Sequence, residues 1–450
     1  MSQILLAVEN INRVLNSIIW GPIMLLLLLG TGIYFTLRTN FLQVRKFNFI
    51  LNKTLFSIFK KSDNKNNKLI TPFQALTTAL AGTIGTGNIV GTATAIAIGG
   101  PGALFWIIFS SFFGMMTKYA EILLSIKYRR IKSDGTFVGG PMYYIRDGLH
   151  NKWLALLFAV FGLLASFGIG NIAQINSIST SMHNSLNINP LYTGIAVAIL
   201  VSFVIIGDAK RIARATEKIV PFMACFYIFI TIIVLAANYK SIISSIVIIF
   251  KSAFSETAAV GGFVGSSIIL TIKNGISKGI FTNEAGLGSS PIAHAIADTN
   301  HPVNQAMWGI LEVFIDTIVI CSLTGIAIIS SGKWSSGLLG ADLAISSYSV
   351  GLGGFAPYAI SFSILFFAFS TLIGWSFYGE RCLEYIVKTN KFNFLYKIFF
   401  TCIIVVGATT DLRLVWDISD TLNGFMAIPN LIALIALSSV IIKTTKDYFK

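Results

Sequence analysis

The run Ala81-Gly82-Thr83-Ile84-Gly85-Thr86-Gly87-Asn88-Ile89-Val90-Gly91-Thr92 sits inside an apolar stretch, 73–98, long enough to cross a bilayer. Each glycine costs a helix about 1 kcal/mol relative to alanine, and four of them stand here among threonines and an asparagine. A plain lipid-facing helix gains nothing from such a composition. One reading is an unwound stretch whose freed amides and carbonyls bind a polar ligand or ion. The other is a small-residue seam for close helix packing, to which the Gly87/Gly91 spacing is suited. The density of Gly and Thr, with Asn88 at mid-depth, favours unwinding.

The surroundings agree that this is a membrane chain. Of 450 residues, 54% are hydrophobic and only 12% charged, where a soluble chain carries roughly a quarter charged. Disorder is excluded by the same numbers, and the apolar runs are helix-length rather than the alternating ten-residue strands of an outer-membrane barrel. With about 20 residues needed per crossing, eleven candidate spans emerge: 18–37, 73–98, 102–126, 153–179, 190–206, 219–238, 257–271, 307–330, 357–378, 395–408 and 422–442. The expected class is an all-α polytopic membrane protein. The first run lacks a basic leader and a cleavage site, so it reads as a retained span. The run 242–250 is too brief to cross and is assigned to the interface.

The net charge of +14 does not point to nucleic acid, because Lys and Arg cluster between spans. Alternate loops and the C-terminus carry 27 of the 33, and the opposite side five, with Lys118 inside a span. The positive-inside rule then puts the N-terminus outside and the C-terminus in the cytoplasm of a cell whose plasma membrane holds the chain. Cys225, Cys321, Cys382 and Cys402 form no CxxC, and the four histidines are scattered, so no transition-metal site or disulfide framework is expected.

A second glycine-rich run, Ala258-Ala259-Val260-Gly261-Gly262-Phe263-Val264-Gly265-Ser266-Ser267, opens the seventh span. Five spans separate it from the second, and an odd separation makes the two enter from opposite sides. Paired breaks of this kind mark secondary transporters built from inverted repeats. The chain then divides into an extra helix and basic loop (1–70), a first five-helix repeat (71–238) and a second (239–450).

Polar faces add detail. Phe167, Gly170, Asn171, Gln174, Ser177 and Ser181 share one face of the fourth span, either lining a cavity or bonding to a neighbouring helix. In the ninth, the Phe367 carbonyl with hydroxyls at Ser370 and Thr371 offers three hard oxygens to a small cation, unless the hydroxyls merely bond back to their own helix. Trp375 next to them walls a small pocket or anchors at the interface. Lys118 and Glu121, three residues apart, read as an ion pair. Glu312 and Asp316, four apart, would repel without a cation or proton, or they cap amides of the segment 283–290.

Four blocks then carry a resemblance: Gly82-Thr83-Ile84-Gly85-Thr86-Gly87-Asn88-Ile89, Gly99-Gly100-Pro101-Gly102-Ala103-Leu104-Phe105-Trp106, Gly139-Gly140-Pro141-Met142-Tyr143-Tyr144, and Phe281-Thr282-Asn283-Glu284-Ala285-Gly286-Leu287-Gly288 with Pro291-Ile292-Ala293-His294-Ala295. In this order they resemble the alanine or glycine:cation symporter family, across most of the chain from 71 to 378. One departure is that Ile107 and Ile108 follow Trp106 where the family has Met-Trp; that helix is a packing element.

The resemblance implies a leucine-transporter-like fold, five-plus-five inverted repeats preceded by one extra helix. It also implies sodium-coupled uptake of alanine or glycine. By the same carry-over, Gly85, Thr86, Gly87 and Asn88 hold the substrate carboxylate and amine, Gln174 contacts the substrate, and Thr371 with Trp375 closes a small pocket. Sodium, as co-transported ligand rather than cofactor, sits among the oxygens of Ala81, Ile84, Phe367, Ser370 and Thr371. No obligate protein partner is implied beyond the lipid bilayer. Two further readings within transport are another small amino acid and protons in place of sodium. A passive channel would need a continuous polar stripe, and an enzyme would need paired His, Cys or carboxylates at ligand spacing, found only at Glu312 and Asp316.

Overall fold

A computed structural model describes residues 2–58, 69–132, 135–255, 267–410 and 413–450. Among the described residues, seven helical stretches are long and apolar enough to cross a membrane, and Gly87–Gly99, Pro190–Ile205 and Asn393–Thr409 are shorter apolar helices. The protein is inverted relative to a soluble fold. Trp153, Ile23 and Ile243 are each at least 75% exposed, while Asn88, Lys118, Glu121, Glu312 and Asp316 are buried. That pattern suits a lipid solvent, which welcomes Ile and Trp and forces polar groups inward to find partners.

The second span begins at Pro72, where Thr71 and Gln74 form a reciprocal cap: each side chain accepts the other's backbone N–H, at 3.1 and 3.0 Å. The helix Pro72–Thr83 then stops, Ile84 adopts an extended ψ of 93°, and the chain resumes through a wide turn, Gly87–Gly91, into Thr92–Gly99. The helix is therefore broken at the glycine-rich run. Close packing is present too, since a Cβ on Gly374 of the ninth span would stand 2.7 Å from the Gly82 nitrogen. The fourth span, Lys152–Phe167 and Ala173–Leu186, is interrupted by another wide turn at Gly168–Ile172. The ninth is a continuous helix, Ala356–Val387.

The seventh span differs from expectation. Its quoted run 258–267 lies, except for Ser267, outside the described residues. The helix that follows is Ile268–Asn283, which stops at Glu284 and restarts as Ser290–His294. The break thus falls at 284–289, where Glu284, Gly286 and Gly288 all have positive φ. Hydropathy hides this helix because it carries Lys273 and Lys278. Both count among one side's loop charges in the sequence; instead they project from a helix, Lys278 over the ring of Phe281 at 4.9 Å. The segment around 242–250 belongs to a longer helix, Tyr239–Phe254, fixed to the third span by the Trp106 indole N–H donating to the Ala253 carbonyl at 3.1 Å.

Candidate functional site

Where the breaks of the second and seventh spans meet the fourth and ninth, a cavity of about 20 Å³ remains, bordered by Gly85 and Gly87, Gln174, Phe281, Thr282 and Glu284, and Thr371 and Trp375. Such a volume holds about one water. Gly85 owes its place to contact: a Cβ there would lie 2.7 Å from Thr371 Oγ1 and 3.4 Å from Gln174 Oε1. Gly170 plays the same part for Trp375, whose Cβ and ring an added methyl would overlap. The wide turn of the fourth span frees the Ile169 carbonyl, which takes the Gln174 Nε2 donor at 3.0 Å. Gln174 Oε1 is left buried without a partner, facing the cavity wall.

Directly beside this cavity, four oxygens converge. Ser370 Oγ is 2.8 Å from the Phe367 carbonyl and 3.5 Å from that of Ile84; Thr371 Oγ1 is 3.0 and 3.4 Å from the same two. The hydroxyls bond back to their own helix, as one of the two sequence readings has it, and also reach the carbonyl of Ile84 where the second span breaks. Oxygens around a six-coordinate cation at about 2.4 Å would be about 3.4 Å apart, close to the cross-span distances here. Ala81, also buried, lies in the last turn before the break. Thr371 belongs to both groupings, bordering the cavity and completing the oxygen cluster.

Thr86 and Asn88, expected at the substrate, do not border the cavity. Asn88 turns the other way. Its Oδ1 accepts the Gly85 N–H at 3.0 Å, and its Nδ2 donates to the Asp316 backbone and side-chain oxygens at 2.9 Å. It shapes the break rather than lining it.

The expected Lys118–Glu121 pair is also redrawn. Lys118 Nζ lies 3.4 Å from Glu312 Oε1 and donates to Ser290 Oγ at 2.8 Å. Glu312 also accepts from Ser290 and meets His294 Nε2 at 3.2 Å. Glu121 instead accepts the Gly286 amide at 3.0 Å and Asn430 Nδ2 at 2.6 Å. Amide capping of the 284–289 break therefore falls to Glu121, while Glu312 clamps the restarted helix through side chains. Asp316 accepts from Thr317 and Asn88. Sequence reasoning does not assign Phe281, Thr282 or Glu284 to the site, although they stand in one of the four blocks that carry the resemblance.

A family model described as the sodium:alanine symporter family matches residues 5–450. The chain is 46% identical over 451 residues to a protein of Methanococcus maripaludis named sodium/alanine symporter AgcS, covering 98% of this chain and 97% of that one. It is 38% identical over 450 residues to a Bacillus subtilis protein named probable sodium/glutamine symporter GlnT, covering 100% and 91%. Among solved structures, MhsT in complex with L-phenylalanine superposes with a TM-score of 0.60 at 14% identity, over 83% of this chain and 90% of that one. The fold is accordingly of the leucine-transporter type.

Proposed function

Because this multi-pass membrane chain belongs to the sodium:alanine symporter family, we propose that it carries alanine or glycine into the cell together with sodium, by alternating access. The observation that carries this reading is Thr371. One side chain borders the small central cavity and also stands 3.4 Å from the Ile84 carbonyl, so ion and substrate share a wall. In this reading the amides around Gly87, where the restarting helix presents its positive end, meet the substrate carboxylate, and Gly85, its own N–H held by Asn88, leaves the space beside them. Ala81, Ile84, Phe367, Ser370 and Thr371 hold sodium. Gln174 and Trp375 complete the pocket.

Sodium bound there ties the second span to the ninth, and the cation's inward passage gains about 2.3 kcal/mol per 100 mV of membrane potential. The lysine and arginine asymmetry supports an N-terminus outside and a C-terminus in the cytoplasm. Split helices in the second and seventh spans support inverted repeats over 71–238 and 239–450 after the extra N-terminal helix.

Cavity size favours a small side chain. With room for about one water, the site must open its walls even for glycine, and by more for every further side-chain carbon. Binding of labelled alanine to the purified protein, in sodium and in choline, tests the reading. Alanine is expected to bind only in sodium and to be displaced by glycine well before glutamine. Displacement by glutamine at lower concentration than glycine would reverse the substrate assignment.

A further inference from the structure

Glu284 ends the first half of the seventh span in a left-handed conformation, φ +54°, and its side chain borders the central cavity along with Trp375 and Gln174. It is 4% exposed. Among the described residues no Lys, Arg or His forms an ion pair with it; the charge of Lys118 reaches it, but Lys118 itself is held by Glu312 and Ser290. Ser289 donates a hydrogen bond to one carboxylate oxygen. The Trp375 indole N–H stands close to the same carboxylate as a second donor.

A carboxylate buried without an ion-pair partner needs a proton or a mobile counter-charge to neutralise it. Gln174, whose Oε1 is buried and unpaired, borders the same cavity. An unpaired amide oxygen and a buried carboxylate thus border one small cavity, an arrangement complementary to a compact group with several N–H donors and a positive charge. Resting on the small-amino-acid reading above, we infer that Glu284 receives the α-ammonium group of the substrate, with Gln174 Oε1 as the second acceptor. The zwitterion then lies with its carboxylate on the positive end of the second span's restarted half and its ammonium on Glu284. Selection for a free primary amine follows: a hydroxy acid leaves the carboxylate without its counter-charge, and an N-acyl group has neither charge nor room.

The test is equilibrium binding of labelled alanine to the full chain at saturating sodium, for wild type, Glu284→Gln and Glu284→Asp, with lactate and N-acetylalanine as competitors. Sodium-induced thermal stabilisation without substrate is measured alongside. Glu284→Gln is expected to weaken alanine binding about 10- to 100-fold, as loss of a charged hydrogen bond does. It should also narrow the preference for alanine over lactate and leave the sodium effect intact. Glu284→Asp should recover part of the affinity. Alanine affinity within threefold of wild type in Glu284→Gln, or parallel loss of the sodium effect in both variants, would overturn the assignment. If wild type binds a different amino acid instead, the symport substrate reading fails, and the same comparison with that ligand still tests Glu284. If no primary amine binds, both fail.

Discussion

Replacing Thr371 with valine is expected to raise the sodium concentration for half-maximal alanine uptake about 10- to 100-fold. The change keeps the shape of the side chain and deletes one oxygen, the one 3.0 Å from the Phe367 carbonyl and 3.4 Å from that of Ile84. A hydrogen bond to a charged group contributes roughly 1.5–3 kcal/mol, and removing one oxygen from a small set around an ion should weigh at least as much. Ser370→Ala should act in the same direction on sodium, with less effect on alanine affinity, because Ser370 does not border the cavity. Initial uptake rates across a sodium titration, at matched protein level, provide the comparison. An unchanged sodium dependence in Thr371→Val would remove this residue from the ion site.

Gly85→Ala is expected to abolish uptake, by about 100-fold or more, while the protein still reaches the membrane. The added methyl would stand 2.7 Å from Thr371 Oγ1 and 3.4 Å from Gln174 Oε1, inside a cavity of about 20 Å³. Overpacking of this sort costs about 1–3 kcal/mol of stability, which a large buried core can absorb, but it fills the space the substrate needs. Gly85 is not among the glycines with positive φ, so alanine meets no backbone penalty there. Gly91→Ala, in the same span, is the matched control. Nothing lies within 4 Å of its added carbon, and uptake should stay near wild type. Uptake by Gly85→Ala within threefold of wild type would place the substrate elsewhere.

The second and ninth spans are readable from sequence because their signals are local. Four glycines in twelve residues weaken a helix from within its own sequence, and oxygens at i, i+3 and i+4 share a face by helical geometry alone. The seventh span is not, for a physical reason. Its Lys273 and Lys278 lower the hydropathy below that of a span, and its break depends on partners distant in sequence, with Gly286 bonded to Glu121 and Asn430 bonded to both. Asn88 shows the same limit on a smaller scale. Its depth is legible, but the direction of its side chain is set by Asp316, which only the packed structure brings within 2.9 Å. Lys118 likewise takes Glu312 across the bundle over Glu121 one turn away, and both bond Ser290 of the restarted helix, a meeting that sequence spacing does not reveal.

Symport itself is tested most directly by reconstitution. The purified chain in proteoliposomes, given labelled alanine and an inward sodium gradient, is expected to concentrate alanine above its outside level. Replacing sodium with choline should end accumulation, and an inward pH gradient without sodium should not restore it. Accumulation under the pH gradient alone, or mere equilibration of alanine in the presence of the sodium gradient, would contradict coupling through the oxygen cluster at Ile84, Ser370 and Thr371.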